Sequence, residues 1–275
     1  MTEKTKLVLS GGGVKGIAHV GALYALDKLD ILNNITEFAG TSVGSLVLAL
    51  YVIGYKSLEM YEFIKAFNFN ELKNMDINNI YLYGLDTGTK LEYVIKRLIT
   101  NKKFNDNITL QELYNITKKN IIFTTVCVNN MNICYVSHEK YPTLELVKAI
   151  MMSLSIPLIF CPIKYENDMY VDGGCLNNFP INLFKNNLDN TIGVLIIDSN
   201  ERIEINDFET YMFRVLKCVA RGLATGGIHS NYEKHTVEIN IEFINSIDFD
   251  IDDSTKDKLF LIGFDTVMNN LEKLV

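Results

Sequence analysis

The chain has 275 residues, of which 48% are hydrophobic and 21% are charged. These fractions are typical of a folded globular domain and exclude a largely disordered chain. The net charge of −7 argues against a nucleic-acid binder that works through bulk positive charge, and it requires any contact with an anionic membrane to be local. The five cysteines form no C-x-x-C pair, which fits a reducing compartment and gives no zinc site.

The chain shows no targeting segment of a familiar kind. Its first residues lack the apolar stretch of a signal peptide, and the longest apolar run, residues 46–53, is too short to cross a membrane. We therefore expect an intracellular, cytoplasmic protein with at most peripheral membrane contact. No linker or internal repeat divides the chain, which predicts one domain over residues 1–275.

Apolar segments of strand type alternate along the chain with segments of helical period. In chain order, the predicted elements are a strand at 6–10, a helix at 16–29, a strand at 37–39, helices at 43–53, 57–67 and 89–99, strands at 121–128 and 133–137, a helix at 144–153, a strand at 191–198, a helix at 207–223, a strand at 237–243 and a helix at 255–274. This alternation predicts a three-layer α/β/α sandwich with a mostly parallel central sheet.

Residue types at the helix ends predict caps. Thr109 and Glu112 match a capping box, so a further helix should start there. We expect Ser57, Thr89 and Ser254 to cap the helices that follow them, because hydroxyl side chains accept hydrogen bonds from the first free N–H groups.

The sharpest local signal is the pentapeptide Gly40-Thr41-Ser42-Val43-Gly44, which matches G-x-S-x-G between a short strand and an apolar helix. A serine at such a turn has a strained backbone, and Gly40 and Gly44 remove Cβ atoms that would clash there. Ser42 would then be exposed at the carboxyl edge of the sheet, facing the positive end of the helix dipole. We interpret Ser42 as a nucleophile; the alternative is a glycine-rich helix cap without chemistry.

A glycine-rich loop follows the first strand and consists of Gly11, Gly12, Gly13, Val14, Lys15 and Gly16. It satisfies the dinucleotide fingerprint G-x-G-x-x-G, and it could equally present free backbone N–H groups to an oxyanion. A dinucleotide site needs an acidic residue at the end of the second strand, but this strand continues past Glu37 to Ser42. The sequence therefore favours an oxyanion loop, and a tight turn without chemistry is the remaining alternative.

A third block contains an aspartate, in the run Tyr170-Val171-Asp172-Gly173-Gly174. The two glycines let the backbone turn directly after Asp172. An aspartate in this setting is most often an ordinary turn residue, but an activated serine needs a base, which makes Asp172 a candidate for that role.

Histidine is the usual base for a serine nucleophile, and the chain contains His19, His138, His229 and His235. A triad in the order serine, acid, histidine could combine Ser42 with Asp172 or Asp198 and with His229 or His235. Neither late histidine has a distinctive sequence context, so the histidine triad stays open as an alternative.

The three blocks together resemble those of the patatin-like phospholipases, which are lipid acyl hydrolases with a Ser–Asp dyad. They appear in family order, at residues 11–16, 40–44 and 172–174. Further similar segments lie at residues 84–88, 153–157, 160–162 and 177–180, and the resemblance spans residues 6–270. Two positions differ from the usual pattern, with Met152 in place of Ala and Lys15 in place of Arg.

The resemblance implies a serine ester hydrolase of phospholipase A type, with Ser42 as the nucleophile and Asp172 as the direct proton acceptor. Backbone N–H groups around Gly12, Gly13 and Val14 would hold the oxyanion, and no metal or cofactor is needed. The partner would be a lipid substrate at a membrane or micelle surface. The alternatives are a neutral-lipid or general esterase of the same mechanism and a non-catalytic lipid- or nucleotide-binding module.

Residues 248–253 begin like a calcium-binding D-x-D-x-D loop. The sixth position is Asp253 instead of glycine and the twelfth is Leu259 instead of glutamate, so the loop departs from the EF-hand pattern. We expect Phe249 and Ile251 to be buried anchors and the activity to be independent of calcium.

Overall fold

The computed structural model describes residues 3–198, 204–224, 232–246 and 248–274. The strands are β1 (Lys6–Leu9), β2 (Glu37–Thr41), β3 (Gly84–Asp86), β4 (Asn120–Cys127), β5 (Asn132–Val136), β6 (Leu158–Phe160), β7 (Ile163–Tyr165), β8 (Asp168–Asp172), β9 (Thr191–Asp198) and β10 (Thr236–Ile241). The α-helices are α1 (Ile17–Lys28), α2 (Val43–Val52), α3 (Ser57–Ala66), α4 (Thr89–Asn101), α5 (Leu110–Thr117), α6 (Leu146–Leu154), α7 (Phe208–Ala224) and α8 (Asp253–Met268).

The main sheet has the strand order β10-β9-β1-β2-β4-β8-β7, and β5 also pairs with β4. Strands β10, β9, β1, β2 and β4 are parallel to their neighbours in this run, whereas β5 and β8 are antiparallel to β4. The sheet is therefore mixed, with its parallel part at the centre. The predicted α/β class with a mostly parallel central sheet is confirmed.

The central strands are buried on both faces, because successive side chains of a strand point to opposite sides. In β1, Leu7 and Leu9 belong to the larger apolar core, and Val8 belongs to a smaller core on the other face. Helices α1 and α8 approach closely over the larger core. A Cβ atom on Gly21 or on Gly263 would lie 1.9 Å from a carbonyl oxygen of the partner helix, so only glycine fits there.

The predicted helix caps are partly wrong. The capping box is present, since Thr109 Oγ1 accepts the N–H of Glu112 at 3.2 Å. Ser57 and Thr89 are instead the first residues of α3 and α4, after their caps. The cap of α8 is Asp252 and not Ser254, because the Asp252 carboxylate accepts the N–H of Thr255 at 2.8 Å.

A second, two-stranded sheet of β3 and β6 lies outside the main one and was not predicted. Its parallel register pairs Gly84 with Leu158 and Asp86 with Phe160. Strands of three residues are too short to show a hydrophobic period, which is why the sequence gives no sign of them. Within the described ranges, no helix is both long and apolar enough to cross a bilayer.

Candidate active site

Two strands end beside each other along β4. Thr41, the last residue of β2, pairs with Thr124, and Asp172, the last residue of β8, pairs with the next residue, Thr125. Because β2 runs parallel and β8 antiparallel to β4, their carboxyl ends point towards each other. Ser42 directly follows Thr41, so the sheet brings Ser42 and Asp172 together from distant parts of the chain.

Ser42 lies at a tight turn between β2 and α2. Its backbone has φ 52° and ψ −128°, the left-handed strained state expected for a serine at an elbow. A Cβ on Gly44 would lie 2.5 Å from the carbonyl oxygen of Ser10, and one on Gly40 would lie 2.6 Å from the backbone nitrogen of Ser45. Both glycines are therefore required by close packing. The expectation of an exposed serine is wrong, because Ser42 is only 7% exposed.

The backbone of Ser42 is held by a residue that the sequence reasoning missed. The N–H of Ser42 donates to Ser153 Oγ at 3.0 Å, and the Ser153 hydroxyl donates to the carbonyl oxygen of Thr124 at 2.7 Å. Ser45 Oγ lies 2.9 Å from the same hydroxyl. Ser153 is fully buried near the end of the apolar helix α6. A lone serine within such a helix is the signal that could have identified it.

Asp172 is a buried carboxylate, 4% exposed, at the end of β8. Its Oδ1 accepts the N–H of Gly174 at 2.7 Å. Burial raises the pKa of Asp172 to about 6, and the nearby Ser42 hydroxyl and the Gly174 N–H offset part of that rise. A Cβ on Gly173 would lie 2.4 Å from the carbonyl oxygen of Thr124, so the turn after the aspartate packs directly on β4.

Two backbone N–H groups of the glycine-rich loop are free to bind an oxyanion. The N–H of Val14 is already used, because it donates to the carbonyl oxygen of Ser246 at 2.9 Å. In the part of the chain that the structure describes, the N–H groups of Gly12 and Gly13 have no acceptor. Gly13 has φ +56°, and a Cβ there would lie 1.9 Å from the same Ser246 oxygen. An oxyanion contact at Val14 would therefore require its present hydrogen bond to break.

Gly11 connects the loop to the other two blocks. Its N–H donates to the carbonyl oxygen of Asn178 at 3.0 Å. A Cβ on Gly11 would lie 2.3 Å from Asn178 Oδ1 and 3.3 Å from the Cβ of Ser42. Asn178 Oδ1 would also lie 3.1 Å from a Cβ on Gly174. All three sequence blocks therefore meet within a few ångströms.

Lys15 and Gly16 fix the loop to its surroundings. Lys15 is 1% exposed, and its Nζ donates to the carbonyl oxygen of Ile241 at the end of β10 at 2.8 Å. A Cβ on Gly16 would lie 2.3 Å from a methyl group of Val43, which places the loop against the start of α2. These two residues support the loop from the side of the core.

Of the described histidines, His138 and His235 lie away from Ser42, whereas His19 contacts the backbone beneath the elbow. His19 is fully buried on α1, with Nε2 2.8 Å from the carbonyl oxygen of Ser10, and burial lowers its pKa to about 4. His138 Nδ1 lies 3.1 Å from Oδ1 of Asn120, the first residue of β4, at the edge of the sheet opposite Ser42. His235 precedes β10 at that same edge.

Part of the triad alternative lies outside the described residues, namely His229 and the side chain of Asp198.

Within residues 3–198, 204–224, 232–246 and 248–274, no group of three His, Cys, Asp or Glu side chains is placed to hold a metal ion. In the calcium-like stretch, Asp250 accepts a hydrogen bond from the side chain of Asn70 at 2.9 Å. Phe249 and Ile251 are half-buried, less than expected.

An apolar cavity lies beside the loop and the elbow. Its unfilled space is about 770 Å³, including the part open to solvent. It is bounded by Gly13 and Val14 of the loop and by Val43, the residue after Ser42, and it extends between α1, α2, α3 and α4. Its far walls include Phe69 and Leu98. The cavity has the hydrocarbon lining that suits an apolar ligand.

The protein has an α/β fold whose mixed sheet brings together a serine elbow, a glycine-rich loop and a buried aspartate. The sequence profile described as "Patatin-like phospholipase" matches residues 7–185, more than half of the chain. The chain therefore belongs to the patatin-like phospholipase family, as its sequence predicted. Membership in this family supports a lipid acyl hydrolase activity.

Three relatives illustrate the similarity. The chain is 33% identical to the uncharacterized protein R571 of Acanthamoeba polyphaga mimivirus, over 98% of this chain and 94% of the relative. It is 35% identical to the probable lipid hydrolase 463L of Invertebrate iridescent virus 6, over 64% of this chain and 62% of the relative. It is 30% identical to the lysophospholipase NTE1 of Meyerozyma guilliermondii over 66% of this chain, but this covers 12% of that longer protein.

Two solved structures share the fold. VipD from Legionella pneumophila superimposes with a TM-score of 0.71 at 16% identity, over 98% of this chain and 67% of VipD. ExoU from Pseudomonas aeruginosa, solved with SpcU, gives a TM-score of 0.57 at 16% identity, over 98% of this chain and 52% of ExoU. At this level of identity the likeness concerns the fold alone.

Proposed function

We propose that this protein is a serine lipid hydrolase of phospholipase A type that cleaves carboxylic ester bonds of phospholipids through Ser42 and Asp172. The observation that carries the proposal is that β2 and β8, from opposite sides, end at neighbouring residues of β4. It places a strained serine next to a buried carboxylate and beside the free N–H groups of the glycine loop.

In the first half of the reaction, Asp172 accepts the proton of the Ser42 hydroxyl while Oγ attacks the ester carbonyl carbon. The negative charge that develops on the carbonyl oxygen is stabilised by the N–H groups of Gly12 and Gly13 and by the positive end of α2. The ester C–O bond then breaks, and Asp172 returns the proton to the leaving alcohol. The acyl group remains on Ser42.

In the second half, Asp172 accepts a proton from a water molecule that attacks the acyl carbon. The bond to Ser42 Oγ breaks, Oγ takes the proton, and the fatty acid leaves. A base works best when its pKa lies near the operating pH. The pKa of Asp172, raised by burial to about 6, suits this role far better than an ordinary aspartate would.

The apolar cavity supports a lipid substrate over a short-chain ester. It adjoins both Val43 and Gly13, whose N–H group is free, so an acyl group bound at Ser42 can direct its chain into it. Burial of each methylene contributes about 0.8 kcal/mol. Turnover should therefore increase with acyl chain length until the cavity is filled.

Single-chain phospholipids are a second substrate class to test, because one relative is named a lysophospholipase. A single acyl chain needs one apolar cavity, and the cavity described above lies beside the elbow.

The proposal is tested by a fluorophosphonate probe followed by a lipid panel. The wild-type protein should be labelled on Ser42, and Ser42→Ala should not be labelled. Ser45→Ala is the matched control, because Ser45 is a buried serine in the first turn of α2, the helix that follows Ser42. Fatty acid release from phosphatidylcholine, lysophosphatidylcholine and triacylglycerol then identifies the substrate class. Label on a different residue, or equal turnover of Ser42→Ala, would exclude the proposed mechanism.

A further inference from the structure

A short segment beside the cavity exposes an unusual amount of apolar surface. We call residues 75–83 the apolar flap; they include a 3₁₀ turn at Ile77–Leu82. Ile77, Ile80 and Tyr81 are 67%, 65% and 72% exposed. The other exposed apolar side chains of the flap are Met75, Leu82 and Tyr83. A contiguous group of this kind marks an interaction surface more often than chance exposure.

The flap is anchored at its base. Asp86 is 1% exposed, and its carboxylate accepts the N–H of Asn74 at 2.6 Å and the N–H of Gly88 at 2.8 Å. The N–H of Asp76 donates to the carbonyl oxygen of Leu85 at 2.8 Å. Because Asn74, just before the flap, is tied to this buried carboxylate and Asp76 within it is tied to Leu85, the outward direction of the apolar side chains is part of the folded structure.

The flap is next to the route into the site. Phe69 and Leu72 before it and Leu91 after it all line the apolar cavity. Strand β3 directly follows the flap and pairs with β6, where Leu158 is also 44% exposed. Strand β6 follows α6, the helix that carries Ser153 to the backbone of the elbow.

Helix α7 adds a second exposed apolar strip. Phe208, Tyr211 and Val215 are 59%, 50% and 40% exposed, and their spacing places them on one helical face. Helix α7 contacts β6 and the turn Gly173–Cys175, which directly follows Asp172. Exposed apolar residues therefore lie on two elements next to the candidate site.

We propose that the apolar flap and the exposed face of α7 dock this protein on the surface of a zwitterionic lipid bilayer, so that an acyl chain can pass from the bilayer into the cavity. The inference extends the proposed function and rests on it. The flap contains no lysine or arginine and one carboxylate, and the whole chain has a net charge of −7. The flap therefore offers no positive charge to anionic lipids, and its contact with a bilayer rests on its apolar side chains. Tyr81 and Tyr83 have the apolar body and polar tip that suit the headgroup region.

Vesicle sedimentation tests the docking independently of turnover. The measurement uses the 275-residue Ser42→Ala protein, which binds without hydrolysing, and phosphatidylcholine vesicles. Adding Ile77→Ser, Ile80→Ser and Tyr81→Ser should weaken partitioning about tenfold or more, because each change removes apolar area from the contact. Binding of the parent protein should change little between low and high salt, since screening acts on charges.

A matched control replaces two exposed apolar residues at the opposite edge of the sheet. Ile116 is 64% exposed near the end of α5, just before β4 begins, and Leu271 is 41% exposed near the start of β10. Ile116→Ser with Leu271→Ser should leave vesicle partitioning within about twofold of the parent, because these residues lie away from the contact. Circular dichroism checks that all variants fold.

Turnover of the active protein separates this inference from the proposed function. The flap variant should lose hydrolysis of vesicle lipid and keep hydrolysis of a soluble butyrate ester within about twofold, because the flap lies outside the catalytic groups. A wild-type protein that hydrolyses no ester would refute the proposed function, while vesicle binding would still decide the docking. Three results would overturn the docking. They are unchanged vesicle binding by the flap variant, binding of the parent protein only to anionic vesicles, and a flap variant that is a monomer where the parent is a dimer but binds vesicles equally well.

Discussion

The Oγ atom of Ser153 accepts a 3.0 Å hydrogen bond from the backbone N–H of Ser42 and so links α6 to the strained turn of the elbow. Without Ser153, that buried N–H would have no acceptor. The hydroxyl also donates to Thr124, the strand residue opposite the end of β2. Ser153 is thus a positioning residue for the proposed nucleophile.

We expect Ser153→Ala to lower esterase turnover about tenfold or more, because an unsatisfied buried N–H costs about 1–3 kcal/mol and allows the elbow to relax. The measurement is turnover of a soluble ester together with the rate of fluorophosphonate labelling. Ser45→Ala is the control, since Ser45 contacts Ser153 but leaves the bond to Ser42 in place. Equal losses in the two variants would contradict a specific role for Ser153.

Asp172 should reduce stability at neutral pH. The difference between a pKa of about 6 in the folded protein and the ordinary value of 3.8 corresponds to about 3 kcal/mol for ionising the buried carboxylate. The folded state binds the proton more tightly, so this contribution destabilises the protein above pH 6 and disappears as the pH falls towards 4. Asp172→Asn, which cannot ionise, should therefore have the higher melting temperature at pH 8.

Thermal unfolding of both proteins from pH 4 to pH 8 measures this effect. The advantage of Asp172→Asn should shrink steadily as the pH falls through 6. A melting-temperature difference that does not change with pH would mean that the pKa of Asp172 is not raised.

The pH dependence of catalysis should report the same group. Asp172 must be ionised to accept the Ser42 proton, so kcat/KM should rise with pH and level off above about 6. Below that value it should fall about tenfold for each pH unit, as for a single essential base. A rising limb centred near 4 would indicate an aspartate with an ordinary pKa.

Gly13 should tolerate no side chain. Gly13→Ala would place a Cβ 1.9 Å from the carbonyl oxygen of Ser246 at a residue with φ +56°, so the loop must move and its free N–H groups with it. Gly54→Ala is the control, because Gly54 has φ +99° and no atom within 4 Å of the added Cβ. We expect the control to cost about 1 kcal/mol of stability with normal turnover, and Gly13→Ala to be inactive. Normal turnover of Gly13→Ala would contradict the oxyanion role of the loop.

The sequence predicted the central sheet and the three blocks because their signals are local. Apolar runs mark β4 and β9, and glycines mark the turns beside Ser42 and Asp172, where the structure shows backbone close to backbone. The contact between Ser42 and Asp172 could be expected only through the family resemblance, since it depends on the pairing of both strands with β4.

Other features could not be predicted because they depend on tertiary contacts. The carbonyl of Ser246 occupies the N–H of Val14 from a distant loop, and Ser153 reaches Ser42 from α6. The sequence predicts the wrong cap for α8, because aspartate and serine are both good caps and the sequence alone does not decide between Asp252 and Ser254. The flap has no period that a sequence pattern could detect.

The most direct test of the Ser–Asp assignment compares Asp172→Asn with glutamine variants of the four histidines, using turnover of a soluble ester by proteins that circular dichroism shows to be folded. Asp172→Asn keeps the size of the side chain but cannot accept the proton, so turnover should fall on the order of 10²–10⁴-fold. The variants of His138, His229 and His235 should keep most of their turnover. His19→Gln should lose more than these three, because His19 contacts the carbonyl of Ser10 beneath the elbow. A folded His229→Gln or His235→Gln variant as inactive as Asp172→Asn would contradict the dyad and favour a histidine triad.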